Sequence, residues 1–154
     1  MTALPPSLVP ATITDLTLPS GSLVKIPTAR PIFSRWRGEP LQDSFGGKPT
    51  VESNGAACFA ELAILRLFLS AGWSGRWVEM YGAPTNQPKF LLEWAGCGIK
   101  AERTVPPDDA VAVARLAAIA SRNRGRYSGC WDVVAWADGR IVFAESKWSR
   151  KGVP

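Results

Sequence analysis

The chain has no histidine among its 154 residues. This absence excludes the Ser-His and Cys-His nucleophile systems, histidine general bases and the imidazole ligands that many protein metal sites use. Any catalysis by this chain must therefore use carboxylates, lysine or a metal held by oxygen ligands.

Cysteines and long apolar runs are scarce. Cys58, Cys97 and Cys130 are odd in number and widely spaced, which favours reduced thiols over a disulfide framework or a zinc knuckle. The apolar stretch at residues 56–69 contains two charged residues and is shorter than the roughly 18 to 20 residues that a bilayer requires. The first ten residues contain three prolines and no Lys or Arg, unlike a secretory signal. We expect a cytoplasmic protein without a membrane segment.

The composition predicts one domain with an arm. An apolar content of 46% in 154 residues allows one real core. Residues 1–50 hold eight of the thirteen prolines and predict a Pro-rich tail or irregular arm, so the folded domain is assigned to residues 51–154. A net charge of +5 and a pI near 9.4 are compatible with a polyanionic partner.

Two segments have the residue pattern of helices. The first runs from Ser53 or Asn54, either a good N-cap, to Ala71, and Gly72 supplies the expected stop. Its apolar stripe includes Glu61. That carboxylate either lies in water at the end of the stripe or faces a cation, a metal or a polar site, because burying it unpaired would be expensive.

The second helix opens at residues 106–109, where two aspartates occupy its positive end, and runs to about Ser121. Arg122, Arg124 and Arg126 follow. Cations suit the negative end of a helix dipole, and a basic turn can equally hold a phosphate. Between the two helices, residues 76–81 predict a strand, and residues 90–94 could form a second, shorter one.

Residues 129–148 carry the pattern that points to chemistry. Two β-rich runs flank Asp138-Gly139, a dipeptide favoured in two-residue type I′ hairpin turns. With that loop Ala137 pairs with Arg140 and, further along the ladder, Asp132 faces Glu145. Side chains alternate along a strand, so Lys147 shares the face of Glu145.

Two carboxylates opposite each other repel, and something must compensate for that repulsion. A lysine offsets part of it, and a hard divalent cation such as Mg²⁺ or Mn²⁺ offsets more. We therefore predict that Asp132 and Glu145 hold a metal while Lys147 orients water or stabilises the transition state. The competing interpretation is a solvated hairpin edge with ordinary surface charges. The apolar flanking residues, on both faces, instead predict central strands covered on both sides.

These residues also resemble a known family. An Asp on a glycine-flanked strand, a hairpin and then Glu145-Ser146-Lys147 resemble the PD-(D/E)xK nuclease superfamily and, more loosely, its VRR-NUC branch. The resemblance implies a restriction-endonuclease-like three-layer α/β core, a mixed β-sheet with flanking helices, and Mg²⁺-dependent hydrolysis of nucleic acid, DNA more than RNA. The family's additional helix-borne acid best matches Glu61. The basic residues Arg150 and Lys151 join Arg122, Arg124 and Arg126 as candidate ligands of nucleic acid.

The sequence departs from that family at two points. Asp132 is preceded by Trp131 rather than proline. The family's core continues after Glu-x-Lys with a helix and often another strand, whereas this sequence stops at Pro154. We expect a longer natural protein, or a helix supplied by another chain or by a different arrangement, and a homodimer is left open.

Two other functions stay open at this stage. One is a non-catalytic nucleic-acid-binding module that uses the arginines and some of the seven tryptophans. The other is an ordinary α/β interaction protein whose tryptophans form the core. Nucleotide hydrolysis of the P-loop type is not expected, because the required glycine-rich motif is missing from the sequence.

Overall fold

The structure, a computed structural model, describes residues 1–43, 48, 50–81, 87–127 and 131–147. This part of the chain combines helices and strands, as expected for the α/β class. Its strands are β1 (Thr12–Thr17), β2 (Leu23–Thr28), β3 (Thr50–Ser53), β4 (Ala56–Phe59), β5 (Ser74–Glu79), β6 (Lys89–Leu91), β7 (Val133–Ala137) and β8 (Arg140–Ala144). Its α-helices are α1 (Ala60–Ser70) and α2 (Ala110–Arg122), and a short 3-10 turn covers Pro6–Leu8.

The largest sheet has the strand order β6-β5-β7-β8, and each neighbouring pair is antiparallel. The resemblance implied a mixed sheet, and the described strands do not form one. Strand β7 is central and mostly buried, as predicted, whereas β8 is an edge strand whose residues are all half-buried. The prediction that both strands are covered on both sides is therefore wrong for β8.

The two helices lie against opposite faces of this sheet. Leu62, Leu65 and Phe68 of α1 pack in one core cluster with Trp77 and Val133. The face with this cluster is called the α1 face. On the other side, Ala112 of α2 packs with Val78, Val134 and Trp136, and this side is called the α2 face. Alternation along β5 and β7 sends successive side chains to the two clusters in turn.

Helix α1 begins later than the sequence predicted. Residues 53–56 form the turn of a β3–β4 hairpin, in which Ser53 pairs with Ala56. Asn54 and Gly55 both have positive φ, at 54° and 79°, as a type I′ turn requires. The predicted N-cap is wrong because the Asn-Gly dipeptide makes a hairpin, which delays the helix to Ala60. The end is as predicted, with Gly72 in the left-handed region at φ 81°.

The second helix and the strands after α1 match their predictions closely. The Asp109 carboxylate caps α2 by accepting the backbone N–H of Ala112 at 2.8 Å. Strand β5 starts two residues earlier than expected, and β6 occupies the ambiguous region as a three-residue strand.

The Pro-rich arm is more regular than predicted. Strands β1 and β2 form a hairpin whose residues are almost all exposed. The flanking parts of the arm contact the domain. Leu4, Leu8 and Phe33 pack against the α1-face core, and the indole N–H of Trp73 donates to the carbonyl of Ala3 at 2.7 Å. The β1–β2 hairpin, in contrast, is absent from both core clusters of the described residues.

Neither helix of the described residues is long and apolar enough to cross a bilayer. Cys58 and Cys97 are free thiols, as predicted. Cys130 lies outside the described residues.

Candidate functional site

The β7–β8 hairpin has the register that the sequence predicted. Ala137 pairs with Arg140, and the ladder continues to Val133 opposite Ala144. Asp138 and Gly139 occupy the turn with φ values of 50° and 71°, the left-handed geometry of a type I′ turn. The turn dipeptide thus fixes which residues of the two strands meet.

The ladder changes just before the predicted Asp132–Glu145 pair. Ala144 pairs with Val133, and its carbonyl also accepts the backbone N–H of Asp132 at 3.0 Å. Two consecutive residues therefore face a single residue of β8, which is the arrangement of a β-bulge. The sequence did not predict this irregularity.

The bulge shifts the alternation of side chains. Val133 belongs to the α1-face core, whereas Trp131 packs on Phe143 at the α2 face, with ring centroids 4.1 Å apart. In a regular strand residues 131 and 133 would share a face. Asp132 is therefore not held directly opposite Glu145 by the ladder, and the predicted cross-strand carboxylate pair is displaced by one residue.

Backbone and side-chain hydrogen bonds fix Asp132 at this end of the sheet. Its carbonyl accepts the N–H of Val78 at 2.7 Å. Its Oδ2 accepts the backbone N–H of Ser146 at 2.8 Å and the hydroxyl of Ser146 at 3.0 Å. The second carboxylate oxygen, Oδ1, accepts no hydrogen bond from the described residues. Asp132 is thus oriented by the residue between Glu145 and Lys147, with one oxygen available to a ligand.

Glu145 and Lys147 follow directly after β8 and are accessible to solvent. The Lys147 ammonium donates to Glu145 Oε1, and 81% of the Lys147 side chain is exposed. This hydrogen bond and the negative charges of Glu145 and Asp132 raise the pKa of Lys147 above its usual value. All three predicted groups therefore belong to one local electrostatic environment, although Glu145 and Asp132 do not form a ladder pair.

Glu61 has a different environment. It is buried with only 6% exposure, and its carboxylate lies 3.1 Å from the ammonium of Lys48. The same ammonium contacts the buried Glu79 at 2.8 Å. Burial lowers the pKa of Lys48, but the hydrogen bond to Glu79 and the attraction of both carboxylates outweigh burial and raise it. Of the two environments left open for Glu61, the structure shows the one with a cation.

Within the described residues, no three acidic or cysteine side chains gather closely enough to hold a metal ion. Glu61 therefore does not join Asp132 and Glu145 in one metal-binding group. Glu61 and Glu79 thus form a buried pair, whereas Asp132 is half-buried and Glu145 is exposed.

Three of the five predicted basic residues lie within the described part of the chain. Arg122 ends α2, and Arg124 and Arg126 lie in the turn after it, all three exposed. None of the three makes a salt bridge with a described residue. Arg150 and Lys151 lie outside the described residues.

Two residues important to these environments were missed in the sequence. Lys48 comes from the Pro-rich arm, and a cation was only one of the partners that the sequence left open for Glu61. The sequence analysis names Ser146 only as the middle residue of Glu145-Ser146-Lys147, yet it binds Asp132. No local pattern predicts that contact, because it depends on the bulge.

Comparison with known proteins finds no matching family model, no matching curated protein and no matching solved structure. A nuclease assignment therefore rests on this chain's own residues.

Proposed function

We propose that the protein is a metal-dependent nuclease that hydrolyses phosphodiester bonds, with DNA the preferred substrate. The observation that carries the proposal is the β7–β8 hairpin. Just beyond the last ladder pair of β7 and β8, Asp132, Glu145 and Lys147 follow at one end of the sheet, where Ser146 binds the Asp132 carboxylate and Lys147 donates to Glu145. A purely structural hairpin has no need of two acids and a lysine at that position.

The residues at this sheet end fit a hard divalent cation in donor chemistry. Asp132 and Glu145 supply carboxylate oxygens, which Mg²⁺ and Mn²⁺ prefer. Magnesium commonly takes only one or two protein carboxylates and completes its shell with water and substrate phosphates. Two carboxylates without a third are thus an acceptable protein contribution. When bound, such an ion would polarise the phosphodiester and lower the pKa of a bound water.

The chain's own groups have separate roles in this proposal. Ser146 orients Asp132 through the two hydrogen bonds to Oδ2, which leaves Oδ1 for the ion. Lys147 supplies a positive charge for the anionic transition state. The hydrogen bond between Lys147 and Glu145 must open or rearrange when substrate binds, and the exposure of Lys147 permits that movement.

Cleavage assays with matched variants test this function. Purified protein should cut DNA in a Mg²⁺-dependent, chelator-sensitive reaction. Asp132→Asn, Glu145→Gln and Lys147→Ala should each lower the rate by at least about 100-fold while leaving the fold intact. Asp138→Asn removes the same charge from the same hairpin, and Asn tolerates the positive φ of the turn, so it is the control and should retain cleavage.

A protein that binds nucleic acid without cutting it is the second candidate. The three exposed arginines at the end of α2 and directly after it favour it. Binding that survives chelation and Asp132→Asn, together with no cleavage of single-stranded, duplex or branched DNA or RNA, would replace the nuclease proposal with this one.

A further inference from the structure

A groove separates α2 from the edge strand β8. It has a volume of about 380 Å³ and is lined by Val111, Arg115, Ile119 and Arg122 of the helix and by Ile141 and Phe143 of the strand. The helical residues recur every three or four positions and therefore form one stripe. This stripe lies one residue away from the buried positions Ala112, Leu116 and Ala120, so it flanks the packed face of α2.

The groove carries its two cations on the α2 side, and its floor on the β8 side is apolar. Arg115 and Arg122 are exposed, and neither makes a salt bridge with a described residue. None of the lining residues is acidic. Two exposed cations that no described residue pairs with, beside an apolar floor, complement a ligand that carries both repeated negative charge and apolar surfaces.

The spacing of the two arginines fits a phosphate backbone. Seven residues along an α-helix correspond to about 10.5 Å, so Arg115 and Arg122 can each contact a different phosphate of one strand. The floor residues Ile141 and Phe143 are alternate residues of β8 and share its α2 face. The Phe143 ring, already supported by Trp131, offers an aromatic platform for a base.

We propose that the α2–β8 groove binds a single strand of nucleic acid, with Arg115 and Arg122 on its phosphates and a base against Phe143. A duplex keeps its base faces inside the stack, whereas a single strand can place them on this floor. Glu145 follows two residues after Phe143, so a strand in the groove leads to the end of the sheet that carries Lys147. This inference rests on the proposed function and names single-stranded nucleic acid as its substrate class.

The test measures binding separately from cleavage. Fluorescence anisotropy in EDTA follows the full-length protein with an end-labelled oligodeoxythymidine of about 12 nucleotides. The variant Arg115→Ala/Arg122→Ala should bind at least about tenfold more weakly and lower the slope of log K against log salt by about 1.4. The control Arg30→Ala/Arg103→Ala removes the same charge from exposed arginines outside the groove and should change affinity less than about twofold.

A second variant probes the floor. Phe143→Leu keeps most of the apolar volume but removes the aromatic face, and it should weaken the single-strand complex several-fold while leaving the salt slope unchanged. Thermal unfolding checks that these variants remain folded.

The outcomes separate this inference from the nuclease proposal. Wild-type affinity in the double arginine variant, or equal affinity for a blunt duplex of the same length, overturns the groove whether or not the protein cuts DNA. Groove-dependent binding without any metal-dependent cleavage overturns the nuclease and leaves the groove. Absence of both binding and cleavage overturns both.

Discussion

The chain contains two pairs of carboxylates, each associated with a lysine, in opposite environments. Glu61 and Glu79 are buried on the α1 face and share the ammonium of Lys48. Asp132 and Glu145 lie at the open end of the sheet, where the lysine, Lys147, is mostly exposed. The two sets have the same charges, and their difference is the access of water.

This difference in access to water predicts different roles for the two sets of carboxylates. A buried carboxylate pair needs its cation at all times, because an uncompensated charge in the interior costs several kcal/mol. An exposed ion pair contributes little and can exchange partners with water, metal or substrate. The proposed function accordingly assigns its chemistry to the accessible set, whereas the family resemblance assigned a catalytic role to Glu61 as well.

The largest expected effect on stability comes from removing the buried lysine, and removing the exposed lysine is the comparison. Lys48→Met leaves two buried carboxylates without their shared cation and should lower the free energy of unfolding by about 3 kcal/mol. Lys147→Met breaks an exposed pair and should change it by less than about 0.5 kcal/mol. Urea unfolding measures both. Adding Glu61→Gln to Lys48→Met should recover part of the loss, and equal effects of the two single variants would contradict the distinction.

Divalent cations should also distinguish the two sets of carboxylates. At about ten times the dissociation constant, Mg²⁺ or Mn²⁺ should stabilise the wild-type protein by about 1.4 kcal/mol. Asp132→Asn should abolish this increment, whereas Glu61→Gln should retain it even if its starting stability is lower. Thermal unfolding with and without EDTA gives the increments. Loss of the increment in Glu61→Gln alone would move the metal site to the buried pair.

Ser146→Ala should have a smaller effect. It removes the hydroxyl but keeps the backbone N–H that binds Asp132, so the loss should be about 1 kcal/mol or less in stability. In the proposed enzyme, the cleavage rate should fall several-fold with a higher Mg²⁺ requirement, because Asp132 is less well oriented. A Ser146→Ala protein with wild-type Mg²⁺ dependence would show that the hydroxyl does not position Asp132.

The smallest expected effect is a pH dependence of stability in the alkaline range. The folded protein raises the pKa of Lys48 above the ordinary value of 10.5. The unfolded chain therefore loses this proton first as pH rises, and the stabilisation, complete below pH 10.5, decreases as pH passes through the folded-state pKa. Unfolding measured from pH 9 upwards should show a steeper decline in the wild-type protein than in Lys48→Met. Identical pH slopes in the two proteins would mean that Glu61 and Glu79 do not stabilise the protonated form of Lys48.

Local signals predicted the hairpin and the second helix well. The Asp138-Gly139 turn determines the register of β7 and β8 because its left-handed geometry allows few alternatives. The Asp109 cap likewise marks the beginning of α2. Asn54-Gly55 is the same kind of turn signal, and in the structure it makes the β3–β4 hairpin ahead of the helix-forming residues that follow.

The remaining features depend on contacts between distant parts of the chain. Lys48 lies in the arm and contacts Glu61 of α1. No pattern in the sequence predicts that this part of the arm lies beside the helix. The bulge at Asp132 follows from how β7 is held between β5 and β8, where the Asp132 carbonyl binds Val78 and its N–H binds Ala144. Neither arrangement has a sequence motif, so the detailed geometry of the candidate site could not be predicted.

The projecting β1–β2 hairpin affects how this protein behaves in concentrated solution. Ile13, Leu16, Leu23 and Ile26 are exposed on it, and the outer edges of both strands have no neighbouring strand among the described residues. Open edges with apolar side chains recruit strands from other molecules. We expect this arm to limit solubility, and lysine substitutions at Ile13 and Leu23 to delay precipitation without touching the carboxylates.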